Sequence, residues 1–184
     1  MRNETAKIIF AYILLCFIWG STWLAIRISL ESFTPFLSGG LRFLIASLSI
    51  FIVMRLQGIV LQKDKISIKL YLLMGFFSFV IPFGLVYWAE QFVPSGLASV
   101  LFGVYPFFVA IFSYFMIPDE KIGLGKTIGM ILGFTGIIII FSDSFSFTLS
   151  DYLLGMFAVM LSGIMQAYIA VALKKYGKHL NPLS

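Results

Sequence analysis

Long apolar runs separated by short polar breaks recur along the whole chain. Six stand out, at Ile8–Ile26, Pro35–Met54, Ile68–Ala89, Pro94–Met116, Ile122–Phe141 and Tyr152–Leu173. Each has the length of about 20 residues that a helix needs to cross a ~30 Å hydrocarbon layer. The pattern predicts an all-α membrane protein, a polytopic bundle of about six transmembrane helices. The first run is longer than a signal-peptide core, and no small-x-small cleavage site follows it, so it reads as a retained helix. No polar segment is long enough for a separate soluble domain.

Within the runs, residue type predicts where helices break and where they pack. Pro94 starts the fourth run, where its missing N–H costs nothing, and Tyr105-Pro106 near the middle predicts a bend. Pro82 and Gly84 mark a second weak point in the third run. Interrupted helices near the bilayer midplane are a recurrent feature of transporter sites. Gly125, Gly129 and Gly133 recur every four residues in the fifth run and predict a face for close helix–helix contact rather than a ligand site.

Composition sharpens the class. Hydrophobic residues make up 60% of the chain and charged residues 11%, against about 45–50% and about 25% in soluble domains. The net charge of +5 is distributed as a topology signal rather than as a nucleic-acid-binding face. Of 13 basic residues, 11 fall on one side: Arg2, Lys7, Arg55, Lys63, Lys65, Lys69, Lys121, Lys126, Lys174, Lys175 and Lys178. Arg27 alone lies on the other, and Arg42 lies inside a span. Both termini are therefore expected in the cytoplasm. Aromatic residues agree, with Trp88 and Tyr152 at the outer interface and Tyr71, Tyr114 and Tyr176 at the inner one. Cys16 cannot form an intrachain disulfide and reads as a packing residue.

The chemistry concentrates in few places. The stretch Tyr87–Ser99, Y-W-A-E-Q-F-V-P-S-G-L-A-S, forms an outer hairpin that carries Glu90 beside hydrocarbon and small residues at Ser95, Ala98 and Ser99. Arg42 lies about 10 Å inside the second helix, a depth that costs ~2.5–3.5 kcal/mol unless the side chain snorkels or finds a partner. Glu90, or Glu31, on the same side is the expected partner. That pairing fails if Arg42→Ala and Glu90→Ala each leave function and expression unaltered. Trp19, Ser21 and Trp23 in the outer half of the first helix, Tyr105 at the bend and Gln166 deep in the sixth helix complete a candidate cavity lining. An interhelical hydrogen bond accounts for Gln166 equally well. The single histidine, His179, lies beyond the last run, and no Ser/His or metal-ligand cluster assembles at membrane depth. An enzyme is not expected, nor any metal or cofactor.

The same residues carry a family resemblance. F-I-W-G-S-T-W-L-A-I-R (Phe17–Arg27), Pro35-Phe36 with G-L-R-F-L (Gly40–Leu44), the Tyr87–Ser99 hairpin with P-F-F-V-A (Pro106–Ala110), and P-D-E-K (Pro118–Lys121) with G-x-x-x-G-F-x-G ending at Gly136 resemble EamA-type transporters of the drug/metabolite transporter superfamily. The resemblance covers nearly the whole chain in order. It implies two inverted five-helix repeats around a central cavity. It also implies alternating-access movement, commonly outward, of a small metabolite, amino-acid-like or related, across the plasma membrane. Residues 1–150 would be the first repeat and 151–184 the opening helix of a second, ending at Asn181–Ser184. The resemblance thus implies a piece of a transporter, a half that pairs with a second half or another copy, or a non-transporting remnant or assembly subunit. The charge bias argues against dual orientation. No acid lies between Glu4 and Glu31, so proton exchange through a first-helix glutamate is not expected.

Overall fold

In the computed structural model, which describes residues 2–118, 123–143 and 151–180, the apolar runs are helices joined by short turns. In chain order they are α1 (Arg2–Ser29), α2 (Pro35–Leu56), α3 (Lys65–Met74), α4 (Ile81–Ala89), α5 (Ser95–Leu101), α6 (Tyr105–Met116), α7 (Leu124–Asp143) and α8 (Asp151–Tyr176). Among the described residues, five stretches are long and apolar enough to cross a membrane: Thr5–Ser29, Pro35–Leu56, Lys65–Ala89, Ser95–Met116 and Asp151–Tyr176. Leu124–Ile139 is a shorter apolar helix. The protein is an all-α, multi-pass membrane protein. Ile122, which opens the fifth expected span, lies outside the described residues, as do Lys121, the Asp119–Lys121 part of the P-D-E-K motif and Asn181–Ser184.

Both proline signals become helix breaks. The third span runs through a π-helical turn, Gly75–Val80, before Pro82 sits in the first turn of α4. Pro82 cannot donate to the carbonyl four residues back and its ring crowds that carbonyl, and the wider turn before it relieves both demands. The fourth span tightens into a 3₁₀ turn, Phe102–Val104, and Pro106 then opens α6. Pro94 is the residue before α5, in extended geometry. At the other end of the bundle α2 stops at Gly58, whose φ of 67° is left-handed. There Gly58 N–H donates to Arg55 O at 3.3 Å and Ile59 N–H to Met54 O at 2.9 Å, a pattern that satisfies the last-turn carbonyls.

The core forms around α8. This helix packs most extensively on α4 and α6, and also on α5 and on both irregular turns. Small residues permit that approach. A Cβ on Gly155 would stand 2.8 Å from Val93 Cγ2 and 3.4 Å from Ala89 O, and one on Gly163 would stand 3.2 Å from Val104 Cγ2. Ala89, Val93, Leu101, Val104, Met156 and Val159 are completely buried there. The expected glycine face of α7 behaves differently. Gly133 accepts the Phe107 ring, which would come within 2.7 Å of a Cβ, while Gly125 and Gly129 have open space beside them.

Candidate functional site

Tyr87 of α4 is central to the contact that α1 and α2 make with the α4 side of the bundle. It is buried with Ile26 and Val86. Its ring stands 3.5 Å from where a Gly39 Cβ would be, so the glycine lets α2 close on α4. Tyr87 borders two cavities. The one between α1 and α2, of about 510 Å³, is lined by Ser21, Thr22, Ser29, Ser38, Arg42 and Tyr87 among Ile18, Ala25, Leu41 and Ile45. The other, of about 520 Å³ between α2 and the third span, is bordered by Phe36, Gly39, Phe43, Phe79, Phe83 and Tyr87 and is almost wholly apolar.

The first cavity carries the polar chemistry. Ser21 donates to Phe17 O at 2.7 Å, Thr22 to Ile18 O at 2.8 Å and Ser29 to Ile26 O at 2.6 Å. These hydroxyl protons are spent within α1, which leaves the oxygens their acceptor capacity. Ser29 and Ser38 also meet, Oγ to Oγ 2.5 Å, across the α1–α2 contact. Arg42 supplies the donors. Its guanidinium lies over the rings of Phe43 at 5.8 Å and Phe83 at 5.6 Å, a contact that holds a cation at an apolar wall without neutralising it. The cavity thus pairs a cationic donor that has no carboxylate partner among the described residues with hydroxyl acceptors, a combination suited to a small molecule bearing a carboxylate and an amine or hydroxyl.

Glu90 lies one turn beyond Tyr87, at the end of α4, and is completely buried. Among the described residues neither carboxyl oxygen has a hydrogen-bond partner. No ion pair joins it to Arg42 there. Arg27 of α1 comes to this corner instead, and its guanidinium donates to the backbone carbonyl of Glu90, where the α4 dipole ends and a cation is favoured. Burial pushes the Glu90 carboxyl up to about 8, against the opposing pull of Arg27. A carboxyl so placed avoids most of the cost of a buried charge by keeping its proton.

The other sequence-derived candidates scatter. Ser21, Arg42 and Tyr87 share the first cavity, and Glu90 stands behind it. Trp19 is exposed on the outside of α1. Trp23 packs on Phe102, centroids 5.4 Å apart, and Tyr105 stacks on the same ring at 5.8 Å. Both thus brace the 3₁₀ turn. Ser99 is exposed and donates to Gly96 O at 2.7 Å. Gln166 is half-buried in α8, its Nε2 without a partner among the described residues. Thr22, beside Ser21 in the expected lining, is in the cavity as well; Ser29 and Ser38 were not foreseen, although two spacings reveal them. Ser21, Ala25 and Ser29 share a face at i, i+4 and i+8, and Ser38 lies one turn before Arg42.

Comparison with known proteins adds the lineage. A model of the EamA-like transporter family matches residues 6–142. The chain belongs to the EamA-like transporter family. It is 29% identical over 175 residues to the uncharacterized transporter YoaV of Bacillus subtilis, covering 95% of this chain and 60% of that one. It is likewise 29% identical over 175 residues to protein PagO of Salmonella typhimurium, covering 95% of this chain and 57% of that one. Against the uncharacterized inner membrane transporter YedA of Escherichia coli it is 33% identical over 156 residues, 84% of this chain and 49% of the relative. The chain thus spans about half to three-fifths of the length of these relatives. No solved structure gives a significant match. As an EamA-family protein with several apolar spans, it is a multi-pass protein of the plasma membrane.

Proposed function

We propose that this EamA-family chain forms part of a carrier that moves a small, amino-acid-like metabolite by alternating access, as an exporter or permease without enzymatic activity. The observation that carries the proposal is the cavity between α1 and α2. There Arg42 and a set of hydroxyls face one space at membrane depth, where an unpaired cation is costly and marks function. Two breaks, at Gly75–Val80 and Phe102–Val104, flank the Tyr87–Ser99 hairpin and give α4 and α5 places to flex. In this reading residues 1–150 form one five-helix repeat, α8 opens a second, and both termini are cytoplasmic. A second half or another copy closes the open side of α1 and α2.

Counterflow in proteoliposomes with a panel of labelled amino acids and related amines tests the proposal. At least one compound is expected to exchange. Arg42→Ala and Tyr87→Ala are expected to slow it about tenfold or more, the scale of one lost charge-assisted contact, with insertion unchanged. No exchange of any compound by correctly inserted protein contradicts a transport role for this chain alone. Exchange restored by a co-expressed C-terminal half of a relative identifies the assembly-subunit alternative.

A further inference from the structure

A groove on the opposite side of the third span has no part in the site above. It is shallow and open, formed along one face of this span by Lys65, Ile68, Lys69, Leu72, Leu73, Phe76 and Phe77. These positions follow one face of the helix at i, i+3, i+4, i+7, i+8, i+11 and i+12. The two lysines sit together at the end of the bundle that also holds Lys63, Lys174, Lys175 and Lys178, and the rest of the lining is apolar. Ile68, Leu72, Phe76 and Phe77 are exposed. Among the described residues neither Lys65 nor Lys69 has an ion-pair or hydrogen-bond partner.

The neighbouring acid is otherwise engaged. Asp64 caps α3, accepting from Ser67 N–H at 3.1 Å and from the Ser67 hydroxyl. Ser67 Oγ lies 3.0 Å from His179 Nε2, and that nitrogen is 3.9 Å from Asp64 Oδ2. These bonds, the Ser67 hydroxyl foremost, hold the Asp64 carboxyl below the usual range, so it stays anionic within its own cluster. The groove therefore presents two unpaired cations above an apolar trough. From Lys65 to Phe77 the trough is about 18 Å long at 1.5 Å per residue, close to one leaflet of a ~30 Å hydrocarbon core. Its far end enters the π-helical turn.

We propose that this groove is a selective site for an anionic phospholipid, with the phosphate between Lys65 and Lys69 and one acyl chain along Ile68, Leu72 and Phe76 to the π-helical turn. Charge complementarity selects the headgroup and the length of the trough selects a full acyl chain. An occupied groove covers the exposed phenylalanines of the turn and steadies the break below α4.

Native mass spectrometry of the purified full chain, titrated with dioleoyl phosphatidylglycerol or dioleoyl phosphatidylcholine, tests the site. Phosphatidylglycerol is expected to be retained about tenfold more, given the attraction of each basic residue for an anionic headgroup. The exposed-site double variant Lys65→Gln/Lys69→Gln should abolish that preference while eluting as a folded protein. Lys174→Gln/Lys175→Gln should keep it. The site is overturned if the wild type shows no preference, or if the second double variant loses as much as the first. It is also overturned if glycerol phosphate competes as well as the full lipid, because binding would then be by the headgroup alone. Transport does not enter the readout, so the result is independent of the function proposed above.

Discussion

α1 and α8 are equally suited to a membrane and differ in what surrounds them. Their most apolar stretches have nearly equal mean hydropathy, 2.0 for the span ending at Ser29 and 1.9 for Asp151–Tyr176. Yet half of that stretch of α8 is buried inside the chain, and none of that of α1. Hydropathy commits a helix to the bilayer but does not decide its neighbours, because hydrocarbon and leucine are equally apolar. Small residues decide that. α8 offers Gly155, Ala158, Ser162, Gly163 and Ala167, all buried. α1 presents Ile, Leu and Phe outward and meets the bundle near its C-terminal end, at Trp23, Ile26 and Arg27. The packed side of the molecule is a scaffold, and the loosely held side carries the cavity.

The contrast breaks first at the glycines. Gly155→Leu and Gly163→Leu should destabilise the protein by about 3 kcal/mol or more, since whole side chains must displace Val93 and Val104 in a close-packed core. Gly20→Leu, in open space on α1, should leave stability unchanged. Thermal unfolding in detergent distinguishes them, and an equal loss at all three positions contradicts the division.

Glu90, on the border between the two sides, tests it through pH. Its carboxyl is raised from an ordinary 4.5 to about 8 in the fold, so the native state holds a proton that the unfolded chain releases. Stability from this group is full below about 4.5, falls as pH rises and levels off above about 8. Glu90→Gln should remove that slope while leaving the fold intact. A slope unchanged in the variant means that Glu90 is already ionised in its corner.

Two smaller effects refine the picture. Gly58→Ala should cost about 1 kcal/mol, because its left-handed φ strains any residue with a Cβ. Ser38→Ala removes the hydroxyl contact with Ser29 and should cost about 1 kcal/mol. Because that contact belongs to the loosely held side, the loss should appear as faster hydrogen exchange in α1 and α2 and spare α8.

These particulars show how far the sequence was legible. Pro82, Pro94 and Pro106 foretold both breaks and the start of α5, because proline acts on its own backbone and needs no knowledge of neighbours. Arg42 was legible as a cation at depth, but its contacts were not. Phe83 reaches it from another helix, and interhelical rotation is not encoded in spacing. For the same reason Glu90 was expected against Arg42, whereas Arg27 occupies its corner. The regular glycine period in α7 drew attention from the irregular small residues of α8, which make the tighter contacts. Period measures a face, and only the partner determines whether that face is used.

The central claim is that the space between α1 and α2 is a substrate cavity, which water must then reach at membrane depth. Cys16 is the single cysteine, so a Cys16→Ser background gives a clean test. Single cysteines are placed at Ser21, Thr22 and Ala25, which line the cavity, and at Ile13 and Leu24, which are exposed on another face of α1. Labelling in intact membranes by a charged, membrane-impermeant thiosulfonate is then measured. Fast labelling is expected at the three cavity positions and none at Ile13 or Leu24. Equal protection at all five positions would mean that the space is filled by lipid or protein, and would contradict the claim.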